Sequence, residues 1–349
     1  MLSILLYENN ELSISFPAQE KETHYGEDSG FFEREEKEEH YDLTYGWENF
    51  ERNTFYISFA ISKKQLAEAE NEFGYDQDEL KEYLKKSSDE MIYQMIKYLK
   101  EFTLRQIAKS KYARYFNIVE IGPDKFNLAL SAPPTLHEEV KLEFGSITRK
   151  VFKERNSYLK KITEDLKKKR KKYFEEKGIR FTEDRMEIDY DYCINNNRPR
   201  LKRVFELMIK VNRNLSVHQF LGSMLSFTQQ IRYGNLPFKE NSKVILEFWV
   251  PPKVLVNNMA DCDSKAVTFA SIWTHFKHYP VVLIKIKEHL FIGVGIPSTA
   301  GKGITIHGLR YTLCEVAGPG KIPPGLITRY SRTHLENGLF QYELVRSAR

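Results

Sequence analysis

The chain has 349 residues, 41% hydrophobic and 13% aromatic, with a net charge of +5. That length allows two ordinary domains or one domain with a large extension, the composition fits a globular core, and the charge is too mild to imply nucleic-acid binding by itself. The three cysteines, Cys193, Cys262 and Cys314, form no CxxC or Cys/His cluster, which speaks against zinc and for reduced thiols in a cytoplasmic compartment, with no metal or organic cofactor indicated.

The N-terminal MLSILLYENN has no basic region, and Glu8 interrupts its apolar run. A signal peptide or membrane span is therefore not expected. Residues 1–17 predict one or two short strands. Residues 20–51, with Glu33, Glu35, Glu36, Glu38 and Glu39, predict a solvated acidic loop, an acidic recognition tail being the sharper alternative. In 54–61, Phe55, Ile57, Phe59 and Ile61 alternate as on one face of a strand. Leu80, Leu84, Met91, Met95, Tyr98, Phe102 and Ile107 recur at helical spacing and predict a helix over 78–108, with these residues as core.

Two apolar runs around Gly122, Pro123 and Asp124 predict a hairpin over 115–131. Residues 136–177 predict a long helix with a thin apolar seam of Phe144, Ile147, Val151, Tyr158, Ile162 and Leu166. Half of the residues from 149 to 172 are Lys or Arg. This could be a nucleic-acid surface, but no aromatic-interleaved motif accompanies it, and a solvated connecting helix is the preferred reading. Gly178 predicts the stop of that helix. The expected organisation is an N-terminal α+β region over 1–134, which regulates or holds a protein partner, a Lys-rich connecting helix over 135–178, and a catalytic domain over 179–349.

The chemistry concentrates in 249–296. After the turn at Asn257-Asn258, a helical pattern starts at Cys262 and carries Ala266, Phe269, Ala270 and Trp273 on one apolar face. A helix N-terminus offers unpaired N–H groups and a partial positive charge, which stabilise a thiolate and can bind an oxyanion. A hairpin follows, with strands from Val281 to Lys287 and from His289 to Ile296. His289, opening the second strand, is placed to take the thiol proton and return it to a leaving amine. A third strand over 310–316 carries Glu315, which can orient the imidazole. His275 and His278 lie at the far end of the cysteine helix, whereas His218 and His307 are rivals for the base. Cys193 and Cys314 read as inert core thiols.

These residues resemble the bacterial branch of the transglutaminase-like cysteine protease superfamily. The resemblance covers roughly 185–325. It rests on Asp261-Cys262, on Asp263-Ser264-Lys265-Ala266, on His289 and on Glu315. It extends to Phe227-Thr228-Gln229-Gln230-Ile231-Arg232-Tyr233 and to Pro251-Pro252 with Leu255 before the cysteine. Two features depart from the family pattern: Met259-Ala260 stands where Gly usually precedes Asp-Cys, and Glu315 stands where Asp is usual. The resemblance implies an α+β, papain-like core with the cysteine helix packed on an antiparallel sheet, and thiol chemistry on amide bonds of a protein or peptide. Gln229 is a candidate for oxyanion or positioning work, Trp249 for the acyl pocket, and Asp261 and Asp263 flank the nucleophile. Hydrolysis and transfer to an amine share the same acyl-enzyme, so a peptidase or amidase and a transglutaminase both remain open. A catalytically silent binding module is the reading from another class.

Overall fold

Two stretches far apart in sequence, 1–74 and 177–349, form one unit, and 75–176 form a second. The computed structural model describes residues 13–15, 30–122, 125–182, 185–296, 303–318 and 320–346. This division corrects the three-part organisation expected from sequence. The N-terminal region splits at Gly74: its first part belongs with the cysteine-bearing half, and its second part with the long basic helix.

The reason lies in the acidic stretch. Residues 20–29 of that stretch, and Pro123-Asp124 of the expected hairpin, lie outside the described residues. Residues 31–48 are not a loop but two strands, Phe31–Glu36 and His40–Glu48, continued by Thr54–Ser62 into an antiparallel meander. Leu43, Tyr45 and Trp47 alternate inward and are almost fully buried, as are Ile57, Phe59 and Ile61 on the next strand. Glu33, Glu35 and Glu36 sit on the exposed edge strand, where charge discourages pairing with another chain. Inward, Tyr45 and Trp47 meet the Phe227 ring at 5.2 and 5.3 Å, and Trp47 Nε1 donates to Ser223 Oγ at 3.0 Å. This sheet thus covers the helix Val217–Gln230.

The main sheet of the same unit has the order Ser13–Ser15, Gly303–Ile306, Leu309–Cys314, His289–Val294, Val281–Ile286, Gln341–Leu344, all neighbours antiparallel. Of the strands expected in 1–17, only 13–15 are described. Val282, Ile284, Phe291, Leu313 and Leu335 join in one core cluster on this sheet. The helix Cys262–Trp273 packs on the strands His289–Val294 and Val281–Ile286. It is buried on every side except at Asp263 rather than on one face alone. Its buried polar residues Ser264, Lys265, Thr268 and Ser271 all make hydrogen bonds within the protein, as groups removed from water require. The architecture is mixed α and β, with an antiparallel sheet.

The second unit pairs two long helices, Gln77–Ala108 and His137–Glu175. Asp76 caps the first, accepting from Asp78 N at 2.7 Å and Glu79 N at 3.1 Å. The apolar seams meet: Met95, Leu99 and Ile162 form one cluster with Tyr98 and Tyr158 packed on it, and Ile107, Phe116, Val140 and Ile147 form another. Between the helices stands the hairpin Phe116–Gly122 and Lys125–Leu130. Many basic side chains of the second helix face solvent beside acidic neighbours one turn away, as in Lys168–Asp165, Lys171–Glu175 and Lys172–Glu176. Gly178, in the first unit, has φ +67°. A Cβ there would lie 2.8 Å from Tyr192, so the reversal after the helix needs glycine. Among the described residues no helix is long and apolar enough to cross a membrane.

Candidate active site

The backbone delivers Cys262 from a fixed direction. The helix Pro251–Asn257 ends on Asn258 in the left-handed conformation, φ 47°. Met259 and Ala260 then pair in parallel with Arg232 and Tyr233, which follow the helix Val217–Gln230. Asp261 caps the next helix, its side chain accepting from Ser264 N at 2.9 Å. Cys262 is the first residue of that helix and is 7% exposed. The segments 227–233 and 251–255, singled out in the sequence, are therefore the supports of the cysteine.

His289 opens its strand after the two-residue turn Lys287-Glu288, opposite Ile286. Glu315 lies one residue beyond the strand Leu309–Cys314. On the register that pairs Ile292 with Cys314, Glu315 falls diagonally across from His289, within reach of long side chains. His289 Nε2 and Glu315 Oε1 are in direct contact. The other carboxylate oxygen of Glu315 accepts from Ser331 Oγ at 3.0 Å. Burial pushes the His289 imidazole toward the neutral form, but the Glu315 hydrogen bond and charge, with Asp263 beyond, outweigh it and raise its pKa.

The sulfur sits beside this pair without bonding to it. The Leu290 backbone N–H lies near Sγ and acts to lower its pKa, while the Cys262 thiol donates to Asp263 Oδ1 at 3.2 Å. Among the described residues no hydrogen bond joins Sγ to the His289 ring. Burial and the neighbouring Asp263 push the Cys262 thiol well up. Asp263 also accepts from the Tyr190 hydroxyl. Asp261 is raised to about 6, first by burial and then by Asp263.

Of the two roles foreseen for Gln229, the geometry leaves positioning. Its Nε2 donates to Glu315 O at 2.7 Å and Ile322 O at 2.8 Å, and its Oε1 accepts from Ile322 N at 3.2 Å. Both amide hydrogens are committed, so none is left for an oxyanion. Lys265, one turn after the cysteine and fully buried, donates to Ala317 O at 2.5 Å and Gln229 O at 3.3 Å. Together these two side chains fix the loop that carries Glu315.

Trp249 is tied to the cysteine helix through its backbone N–H, which Ser264 Oγ accepts at 3.0 Å. Its ring lies under Lys253 Nζ, 5.0 Å from the centroid, in the wall of a cavity of about 250 Å³ shared with Phe73, Phe248, Glu70 and Glu240. Cys262, His289 and Glu315 are not among the residues lining that cavity. The rival histidines fall away. His275 Nε2 meets Arg198 O at 2.9 Å, His307 meets the Tyr342 hydroxyl at 3.4 Å, and His218 and His278 are exposed. Cys193 and Cys314 are buried, and burial raises both thiols.

Sequence reasoning missed Tyr190, Ser331 and Lys265. Only Lys265 left a signal, within Asp263-Ser264-Lys265-Ala266, as the one lysine of the cysteine helix. No family model, no curated protein and no solved structure matches the chain.

Proposed function

We propose that the first unit is a thiol-dependent amide hydrolase of papain-like, transglutaminase-like architecture, acting on a protein or peptide. Cys262 is the nucleophile, His289 the general base and acid, and Glu315 the group that orients the imidazole. The observation that carries this reading is the His289–Glu315 contact on the strands against which the Cys262 helix packs by its N-terminal residue, with Leu290, the residue after His289, near the sulfur. Nε2 is held by Glu315, which leaves Nδ1 for the thiol proton. Ser264 N–H serves the cap, so the N–H groups of Cys262 and Asp263, which have no intrahelical acceptor, remain to bind an oxyanion. Attack on the carbonyl gives a thioester that water resolves; an amine in place of water gives transamidation from the same intermediate.

The raised thiol disfavours a preformed thiolate–imidazolium pair in the resting site, while the raised imidazole keeps its own proton to higher pH. The proton then moves during attack, and rate rises with pH as His289 loses its proton.

The direct test is release of new N-termini from a mixed peptide library, read by mass spectrometry, with C262A, H289A and E315Q as controls. Cleavage lost in C262A and H289A and reduced in E315Q is the expected result. A second reading, a silent binding module, draws on one observation: the thiol bonds Asp263 and not His289. Library turnover indistinguishable between wild type and C262A would favour it and end the enzyme reading.

A further inference from the structure

In the proposed reaction two groups compete for the Cys262 proton, Asp263 and His289. Asp263 Oδ1 holds that proton at 3.2 Å. The carboxylate is itself held, because its other oxygen accepts from Tyr190, and the buried Tyr190 ring packs against Phe248 with centroids 6.4 Å apart. His289 Nδ1 has no partner among the described residues. The charged and titratable groups around the sulfur are few. Asp261 and Asp263 come from its own helix, Tyr190 from the helix Tyr190–Asn197, half-exposed Tyr233 from the strand Arg232–Tyr233, and His289 from its strand with Glu315 behind it. Among the described residues neither Asp261 nor Asp263 pairs with a lysine or arginine.

A carboxylate at the second position of a helix is ordinarily a favourable partner for the helix N-terminus. Here it does something more specific, because it touches the sulfur. An unneutralised anion at hydrogen-bond distance opposes thiolate formation, and it does so in a partly desolvated place where charges interact strongly.

We propose that Asp263 is a further catalytic residue that keeps Cys262 as a neutral thiol in the resting site, and that reaction begins when Sγ turns from Asp263 toward His289. This rests on the reading of Cys262 as nucleophile. The turn breaks the Sγ–H···Oδ1 bond. The proton passes to His289 Nδ1, the sulfur electron pair forms the bond to the carbonyl carbon, and the carbonyl π pair moves onto oxygen. On collapse His289 returns the proton to the leaving nitrogen as the C–N bond breaks. Water then attacks the thioester as it gives a proton to His289, the C–S bond breaks, and His289 returns that proton to Sγ, so that the thiol can again donate to Asp263. A thiol held in this way is also less open to oxidation between turnovers, since the thiolate is the reactive form.

The test is the alkylation rate of Cys262 by iodoacetamide from pH 5 to 10, read by mass spectrometry in the full chain, with thermal melts to check folding. D263N removes the charge and keeps the shape. It is expected to speed alkylation at pH 7 by about fivefold or more and to move the profile to lower pH. Y190F frees the carboxylate to turn toward solvent and is expected to give a smaller acceleration of the same sign. A folded D263N with an unchanged or slower profile overturns the proposal; if D263N does not fold, an unchanged or slower Y190F overturns it. H289A is run beside them and reads the other question. A wild-type profile that H289A leaves untouched counts against His289 as the base, whatever Asp263 does.

Discussion

Glu315 is where single side chains decide most. It is 3% exposed and bonded on both oxygens, to His289 and to Ser331, while Gln229 holds its backbone carbonyl. E315Q removes the charge that raises His289 and leaves burial to act. The imidazole pKa is then expected to fall, as an NMR titration of the ring would show. The sign for stability follows. His289 is raised in the folded chain, so its contribution is whole below the unfolded value near 6.5 and is lost as pH rises through the folded value. E315Q should flatten that dependence. Ser331→Ala leaves a buried carboxylate oxygen without its donor and is expected to cost about 1–3 kcal/mol, measured by urea denaturation. The meeting of His289 with Glu315 was legible in the sequence because a strand register brings them together. Tyr190 and Ser331 were not, because each reaches the site from a helix, outside any strand register, and nothing local marks such a contact.

At the level of secondary-structure elements, the first turn of the cysteine helix is capped by a group at odds with its own charge. Asp261 has a folded value of about 6 against the usual 3.8, so the folded chain holds its proton more tightly. Its contribution is whole below the unfolded value and falls away as pH rises through about 6. Asn caps as well as Asp and does not ionise. D261N is therefore expected to exceed the wild type at pH 7.5 by on the order of 1–3 kcal/mol, with little difference only below the unfolded value, near about pH 3, in urea midpoints. D261A, which loses the cap as well as the charge, is expected to lie about 1 kcal/mol below D261N at both pH values. Elements with a clean local period were readable: the helices Gln77–Ala108 and His137–Glu175 and the strand Thr54–Ser62 lie within a residue or two of their expected limits. The strand His40–Glu48 was hidden because its glutamate-rich neighbourhood masked the alternation of Leu43, Tyr45 and Trp47.

Considered as a whole, the molecule has one unit inserted into the other. Gly74 N–H donates to Lys177 O at 3.0 Å, so the two ends of the insertion leave the first unit side by side. Replacing 75–176 with a short Gly/Ser linker is expected to leave the melting transition of the first unit and the alkylation profile of Cys262 essentially unchanged. Loss of that profile in the shortened chain would mean that the second unit supports the site. Sequence could not reveal the insertion, because the join depends on contacts between residues more than a hundred positions apart.

That arrangement also sets an order of assembly during synthesis. The second unit is contiguous and has all its residues in hand before Lys177 leaves the ribosome. The meander over 31–62, by contrast, emerges early and must wait for Val217–Gln230 to cover Tyr45 and Trp47. Until then its aromatic face is open to solvent, in a nascent chain whose site is still unmade. A chaperone that binds exposed aromatic strands would find its target in that interval.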